Sequence, residues 1–562
     1  MKRVLVPGLA AALIATASAQ QMQITIQQGA ATVGQSAPAR DAATKTGTAV
    51  LRGRIFAADT GTPLRRAQVR ATNPDNRETR GTSTDAQGRF EFKELPAGRW
   101  TIAASKGSYV PLSYGQTRPN EPGKPVELAD NQTLERLDIT LPRGAIVTGL
   151  VVDEFGEPVS DAMVLPQRFQ YINGQRRLSP TGRSAQTNDI GEYRLFGLPP
   201  GQYYVSATLR TVGMPVEASD DRSGYAPTYF PGTANVAEAQ RVSVQAGQQV
   251  ANINMALAPI RTARVSGTAI AADGRPMSGA MILTMQTTGG MTMTSAGNQV
   301  RPDGTFRISG LAPGDYQLVA QAGGLVGGDP DFATADVSVA GADVDDVRLV
   351  ASKPSRVSGQ VVVEGNPPAF GPTAVSIVAR PADPERMMLG IGRGKVADDW
   401  NFELSARPGR MLLRAIAPQG YAMKMVLLDG EDVTDRAVDI RSGQDLTGVQ
   451  VVLSAQVTEL NGQVIDDKSQ PIRDYTVIAF ADNREKWGYL TRYVDTGRPD
   501  QDGRYKVRGL PPGEYLVIAV DAVEQGEWSD PEYLERIRPK ARRVLLGDGE
   551  TKPLDLKVVP MS

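Results

Sequence analysis

The chain of 562 residues contains no cysteine and no histidine. The first absence excludes disulfides, thiol nucleophiles, thiolate metal sites and cysteine-linked lipids. The second removes the commonest general base and the commonest transition-metal ligand. Together they exclude a Ser-His-Asp relay and a zinc centre of imidazole or thiolate ligands. Net charge is almost absent as well, at −1 from 61 basic and 62 acidic residues. A nucleic-acid partner calls for a basic face, so none is expected. Ser-x-x-Lys, Gly-x-Ser-x-Gly and a phosphate-cradling Gly-rich loop before Lys-Ser or Lys-Thr are all missing. Beyond the first residues no run is apolar enough to span a bilayer, so no membrane span is expected.

What is present is a repeated unit. Its clearest copy runs from Gln501-Asp502-Gly503-Arg504-Tyr505 through Gly509-Leu510-Pro511-Pro512-Gly513 to Tyr515 and Val520. Asp-Gly makes a tight turn, because glycine takes the positive φ that a side chain resists. Tyr505 and Val507 alternate with Arg504, Lys506 and Arg508 in the period of a half-buried strand. Related copies end at Gly98, Gly201, Gly314 and Gly409, so the five closing glycines are spaced by 103, 113, 95 and 104 residues. A period the size of a small domain indicates an array of domains.

Each unit also opens alike, with Val50 to Ile55, Val147 to Val152, Val265 to Ala269, Val357 to Val361 and Leu460 to Val464. A Gly-x-Pro turn or its equivalent then leads to a second strand. A glycine interrupts every opening strand, which predicts a bulge or a close backbone approach. Alternating segments such as Leu137 to Leu141 and Leu554 to Val558 close each unit. The pattern predicts an all-β chain, a tandem array of about five antiparallel β-sandwiches of about seven short strands. Their expected bounds are 47–143, 144–259, 260–352, 353–454 and 455–562, the fourth being degenerate. Short junctions predict an extended, moderately stiff rod. One helix is expected near Ser529, capped by Ser529 and Glu532 with Pro531 in its first turn.

The N-terminus reads as a secretory signal over 1–19. Lys2 and Arg3 precede an apolar stretch, and Ala17-Ser18-Ala19 is a small-residue cleavage site before Gln20. The stretch is too short to span a bilayer comfortably. Residues 20–46 form a flexible lead-in. The mature protein is expected to be exported, periplasmic or extracellular.

The motifs Val-x-Gly-x-Val, Gly-x-Pro-apolar, Ala-x-Val, Asp-x-x-Gly-x-aromatic and Gly-Leu-Pro-Pro-Gly-x-Tyr resemble the carboxypeptidase regulatory-like domain, a transthyretin-like sandwich. The likeness extends over nearly everything after residue 47 and is partial in the fourth unit. The segment Tyr225 to Gly232 and Asp432-Val433-Thr434-Asp435 resemble parts of large exported bacterial proteins of this group. The resemblance implies a module that performs no chemistry beside a catalytic domain.

No catalytic, cofactor-binding or metal-binding residue is therefore assigned. Asp500-Gln501-Asp502-Gly503 reads as a β-turn, with a Ca²⁺ loop at Asp500 and Asp502 as the other reading; the closing Glu of such a loop is missing, since Leu510 falls near its place. Asp343-Val344-Asp345-Asp346 also brings acids together. The candidate contact surface is aromatic: Tyr109 and Tyr114, Tyr225, Tyr229 and Phe230, and Trp528 and Tyr533. These rings suit sugars or Pro-rich peptides; the other reading packs them at sandwich ends or between domains. Long excursions at 166–186 and 212–240 favour a site in the second unit. The function expected is a non-catalytic binding or scaffold protein contacting glycans or cell-envelope proteins. The alternative is a carboxylate-based glycan hydrolase or a regulatory subunit of a peptidase.

Overall fold

The computed structural model describes residues 47–561, apart from 75–77, 119, 210–222, 289–290, 323–331, 366–367, 369, 385–390 and 419. The expected signal segment, the lead-in and residues 212–222 of the second excursion lie outside the described residues. The chain is all-β. Among the described residues one α-helix occurs, Pro531–Ile537, and no helix is long and apolar enough to cross a membrane.

Alternating apolar residues gather into five sandwich cores, within 49–141, 145–257, 263–351, 357–453 and 460–556. The topology repeats. In the second sandwich the opening strand Ala145–Val152 pairs antiparallel with Glu192–Leu198 and parallel with Met255–Ala256. The facing sheet pairs Met163–Ile172 with Gly201–Thr208. The other sandwiches keep this plan, so each combines antiparallel ladders with parallel pairing between its opening strand and its closing segments.

The glycine of each opening strand has a common cause. Gly53, Gly149, Gly267, Gly359 and Gly462 lie directly across the ladder from Phe90, Tyr193, Phe306, Phe402 and Tyr505. From the parallel side, the backbone carbonyl of Leu137, Ile253, Val347, Val449 or Leu554 presses onto the same glycine, where a Cβ would overlap it. Tyr193 and Tyr505 add a bond, each donating its phenol to that carbonyl at 2.6 Å. Glycine here permits the close approach, and the facing ring covers the exposed backbone.

The Gly-Leu-Pro-Pro-Gly turns are locked by their aromatic. Gly98, Gly201, Gly314 and Gly513 sit at φ between 140 and 152°. Two residues on, Tyr203, Tyr316 and Tyr515 donate to the carbonyls of Pro199, Ala312 and Pro511 at 2.7 Å, and Trp100 Nε1 donates to Pro96 at 3.1 Å. In the fourth sandwich Gly409 keeps the geometry at φ 133°, but the ring position is Met411, which has no donor to offer. There Trp400 also holds a left-handed φ of 64° where the other repeats have glycine.

The fifth sandwich has a second core. Thr476–Ala481 and Gly513–Val520 carry unbroken apolar runs, and their outer side chains Ile478, Phe480, Leu516 and Ile518 pack against Tyr533, Leu534 and Ile537 of the helix. The N-cap is Asp530, not the expected Ser529: its carboxylate accepts from Glu532 N at 2.9 Å, and Pro531 occupies the first turn. Ser529 lies in a preceding 3₁₀ turn.

The expected rod is not formed. Besides its neighbour, the fifth sandwich touches the first and the second. Glu121 and Lys124 of the first meet Arg498 and Asp474 of the fifth. The excursion at 166–186 is a β-hairpin, Met163–Ile172 with Gln175–Pro180. Gly174 at its tip lies against the backbone of Ser529, and Gly526 lies against the carbonyl of Tyr171. The rod expectation failed because it weighed junction length and could not see distant side chains meeting.

Candidate functional site

The seven candidate aromatics mark junctions and cores. Tyr109 sits between the first two sandwiches, bridged to Arg143, whose guanidinium lies 5.5 Å from its ring. Tyr114 packs on the first core, and its backbone N–H donates to Ile102 while its carbonyl accepts from Lys124, which reaches across to the carbonyl of Arg473. Tyr225 belongs to a strap, Ser223–Tyr225, paired with Pro259–Arg261 at the exit to the third sandwich. Its phenol donates to Glu154, and that hydrogen bond pushes its pKa up to about 12. Tyr229 is only 2% exposed, and Phe230 packs against the second core. The strap is tightened by Thr228, which donates to the carbonyl of Ala226 at 2.8 Å and accepts from Ala258 N at 2.9 Å. Tyr533 is buried in the second core of the fifth sandwich, and Trp528 packs against it. Tyr225, Tyr229 and Phe230 thus follow the packing reading and not the contact-surface one: the segment closes the second sandwich onto its exit strand.

The acidic turns serve the backbone. Asp500 accepts from Asp502 N and Arg504 N at 2.9 and 3.0 Å, closing the β-turn. Gln501 in that turn pairs with Glu127 of the first sandwich, accepting from its N–H and donating to its carbonyl, both at 3.1 Å. Asp343 accepts from Arg264 N, and Asp345 from the Ser266 hydroxyl. Among the described residues no group of three acidic side chains is placed to hold a metal ion.

Two ion-pair clusters join the fifth sandwich to its neighbours. In the first, Arg498 reaches Glu121 at 3.1 Å and Asp474 at 3.1 Å, and the side chains of Arg498 and Glu121 are each 4% exposed. Thr117 donates to Asp474, and burial pushes the Lys124 ammonium below its ordinary range. In the second, Arg492 grips Asp435 of the fourth sandwich with two bonds of 3.0 and 2.8 Å, and Tyr493 donates to the same carboxylate at 3.0 Å. Burial works to raise the Asp435 pKa, but the bonds from Arg492 and Tyr493 and the charge of Arg492 hold it below its ordinary value. The motif Asp432-Val433-Thr434-Asp435 shapes this anchor, since Asp432 accepts from Thr434 N at 2.8 Å. A small cavity of about 50 Å³ lies beside it, lined by Lys424, Arg492 and Asp548. None of these charged residues was singled out as a partner from sequence, since Glu121 and Arg498 stand 377 positions apart. Only the Asp432 to Asp435 segment had been noticed, without its role.

Comparison with known proteins follows the same lines. A model of the carboxypeptidase regulatory-like domain matches residues 50–142. The first sandwich resembles a carboxypeptidase regulatory-like domain. The other four repeat the glycine, ring and turn geometry of this regulatory-like domain. No curated protein matches the chain. Similar solved structures include the TIE protein of Bacillus anthracis, 14% identical over 72% of this chain and 68% of that one, with a TM-score of 0.15. The minor pilin GBS52 of Streptococcus agalactiae is 13% identical over 38% and 97%, with a TM-score of 0.23. The major pilin subunit BcpA of Bacillus cereus is 12% identical over 53% and 99%, with a TM-score of 0.14. Superpositions this loose carry no argument about function.

Proposed function

We propose that the chain is a non-catalytic, exported scaffold of five sandwiches, divided near 143, 259, 352 and 454, whose turns contact cell-envelope proteins or glycans. The observation that carries this reading is the use made of the charges at the sandwich junctions, among which Arg498 and Glu121 are buried. Arg498, Glu121, Arg492 and Asp435, the kind of groups a catalytic site would gather, bind one sandwich to another. Catalytic sites gather perturbed groups in a cleft for chemistry; here Arg498 is paired with Glu121, and Arg492 with Asp435, across domain boundaries. Holding domains in place is what a scaffold requires. Incubation of the purified chain with a mixed peptide library and with glycans, with and without added zinc, is expected to give no release above a buffer control. Turnover lost on mutating one acidic or lysine residue refutes the reading.

A further inference from the structure

The repeats act as controls for one another. At one end of the second sandwich two turns stand side by side, one after the opening strand and one before the strand that pairs with it. In the second sandwich they are Asp153-Glu154-Phe155-Gly156 and Asn188-Asp189-Ile190-Gly191. Backbone bonds fix both: Asp153 accepts from Phe155 N at 2.9 Å and Glu157 N at 2.8 Å, and Asn188 accepts from Ile190 N at 3.3 Å and Glu192 N at 2.8 Å. The side chains of Phe155 and Ile190 take no part in these bonds. The position of Phe155 is held by Asp273 in the third sandwich and Lys468 in the fifth. The position of Ile190 is held by Gln87, Asp303, Asp399 and Asp502. The turn therefore forms with a polar tip, and in these repeats only the second sandwich carries large apolar side chains there.

Both are open to water. Phe155 is 83% exposed and Ile190 53%. The turns touch, because Val151 N donates to Gly191 O at 2.9 Å and a Cβ on Gly191 would lie 3.1 Å from Pro158. The two turns carry Asp153, Glu154, Glu157, Asp189 and Glu192, and neither 153–158 nor 187–193 contains a lysine or arginine. Tyr225 holds Glu154 in place. Exposed apolar groups rimmed by charge mark a contact surface, and the sign of the rim selects the partner. An acidic rim repels nucleic acid and anionic lipid.

We propose that Phe155 and Ile190 form a docking knob for a polypeptide partner that offers an apolar pocket rimmed by lysine or arginine. The proposal rests on the scaffold reading and names its contact site. The test places a benzophenone-bearing phenylalanine at position 155 of the full chain in its own cells, with the same residue at Lys468 as the control. Irradiation is expected to give a protein adduct at 155 and none at 468. The crosslinked partner residue should lie in an apolar pocket flanked by lysine or arginine. With that partner purified, Phe155→Ser or Ile190→Asp should weaken binding by about tenfold or more, and added salt should weaken it too. Because both side chains are exposed, the variants should melt with the parent. Equal labelling at 468, adducts only with lipid or with a second copy of this chain, a pocket without basic residues, or unchanged affinity in both variants each overturns the knob. These outcomes leave the scaffold reading standing, whereas enzymatic turnover refutes that reading without touching the crosslink.

Discussion

At the residue scale, the informative glycines are those where a carbonyl arrives. Gly149 faces Tyr193 across the ladder and Ile253 O along the parallel side. Gly156, in the same sandwich, has φ 83° and open space around it. Gly149→Ala forces the two strands apart and should cost about 3 kcal/mol. Gly156→Ala meets only backbone strain, about 1–2 kcal/mol. Denaturation of the two variants, followed by a probe in the second sandwich, ranks them; equal losses would show that the close approach is not what requires glycine at 149. The sequence announced this glycine, since it stands inside a strand it weakens. It did not announce Ile253, because the closing segment reaches the glycine only after the whole domain has folded around it. The aromatics were legible as a set but not in their roles. Tyr203, Tyr316 and Tyr515 each stand two residues after a closing glycine and mark turns, whereas Tyr225 and Tyr229 read as a loop and prove to be a strap and a core residue.

At the element scale, the helix Pro531–Ile537 is legible from Pro531 and the capping-box spacing of Ser529 and Glu532, while its cap lies one residue later, at Asp530. Ser529 satisfied a sequence template that Asp530 satisfies in space. Asp530→Ala should therefore destabilise the fifth sandwich by about 1 kcal/mol, and Ser529→Ala by much less. Thermal melts of the two variants decide this, and the reverse order would restore the serine cap. The hairpin of the second sandwich was legible in principle. Asn173-Gly174, at φ 53 and 74°, is a strong hairpin signal between Tyr171-Ile172 and Gln175. Within the excursion at 166–186 the Arg and Gln of its second strand blur the alternation. What its tip touches was out of reach of the sequence, since the 3₁₀ turn at Ser529 belongs to another domain.

At the scale of the whole molecule, the fifth sandwich decides the arrangement, because it meets the first, the second and the fourth. Scattering at neutral pH should give a largest dimension well short of five sandwiches end to end. Glu121→Gln leaves Arg498 with Asp474 as its one carboxylate partner and should cost the closed arrangement about 3 kcal/mol, so the particle lengthens. Acid acts on the second clasp. The Asp435 carboxylate is held below its ordinary pKa, so its contribution is present at neutral pH and is lost as the pH falls through that lowered value, below about 4. A parent protein already fully extended at neutral pH would rule out the clasp. One consequence concerns the order of manufacture. A ribosome delivers Glu121 long before Arg498, with 377 positions between them. The first sandwich is thus made with its docking face bare, and its contact to the fifth closes only when the fifth has emerged and folded.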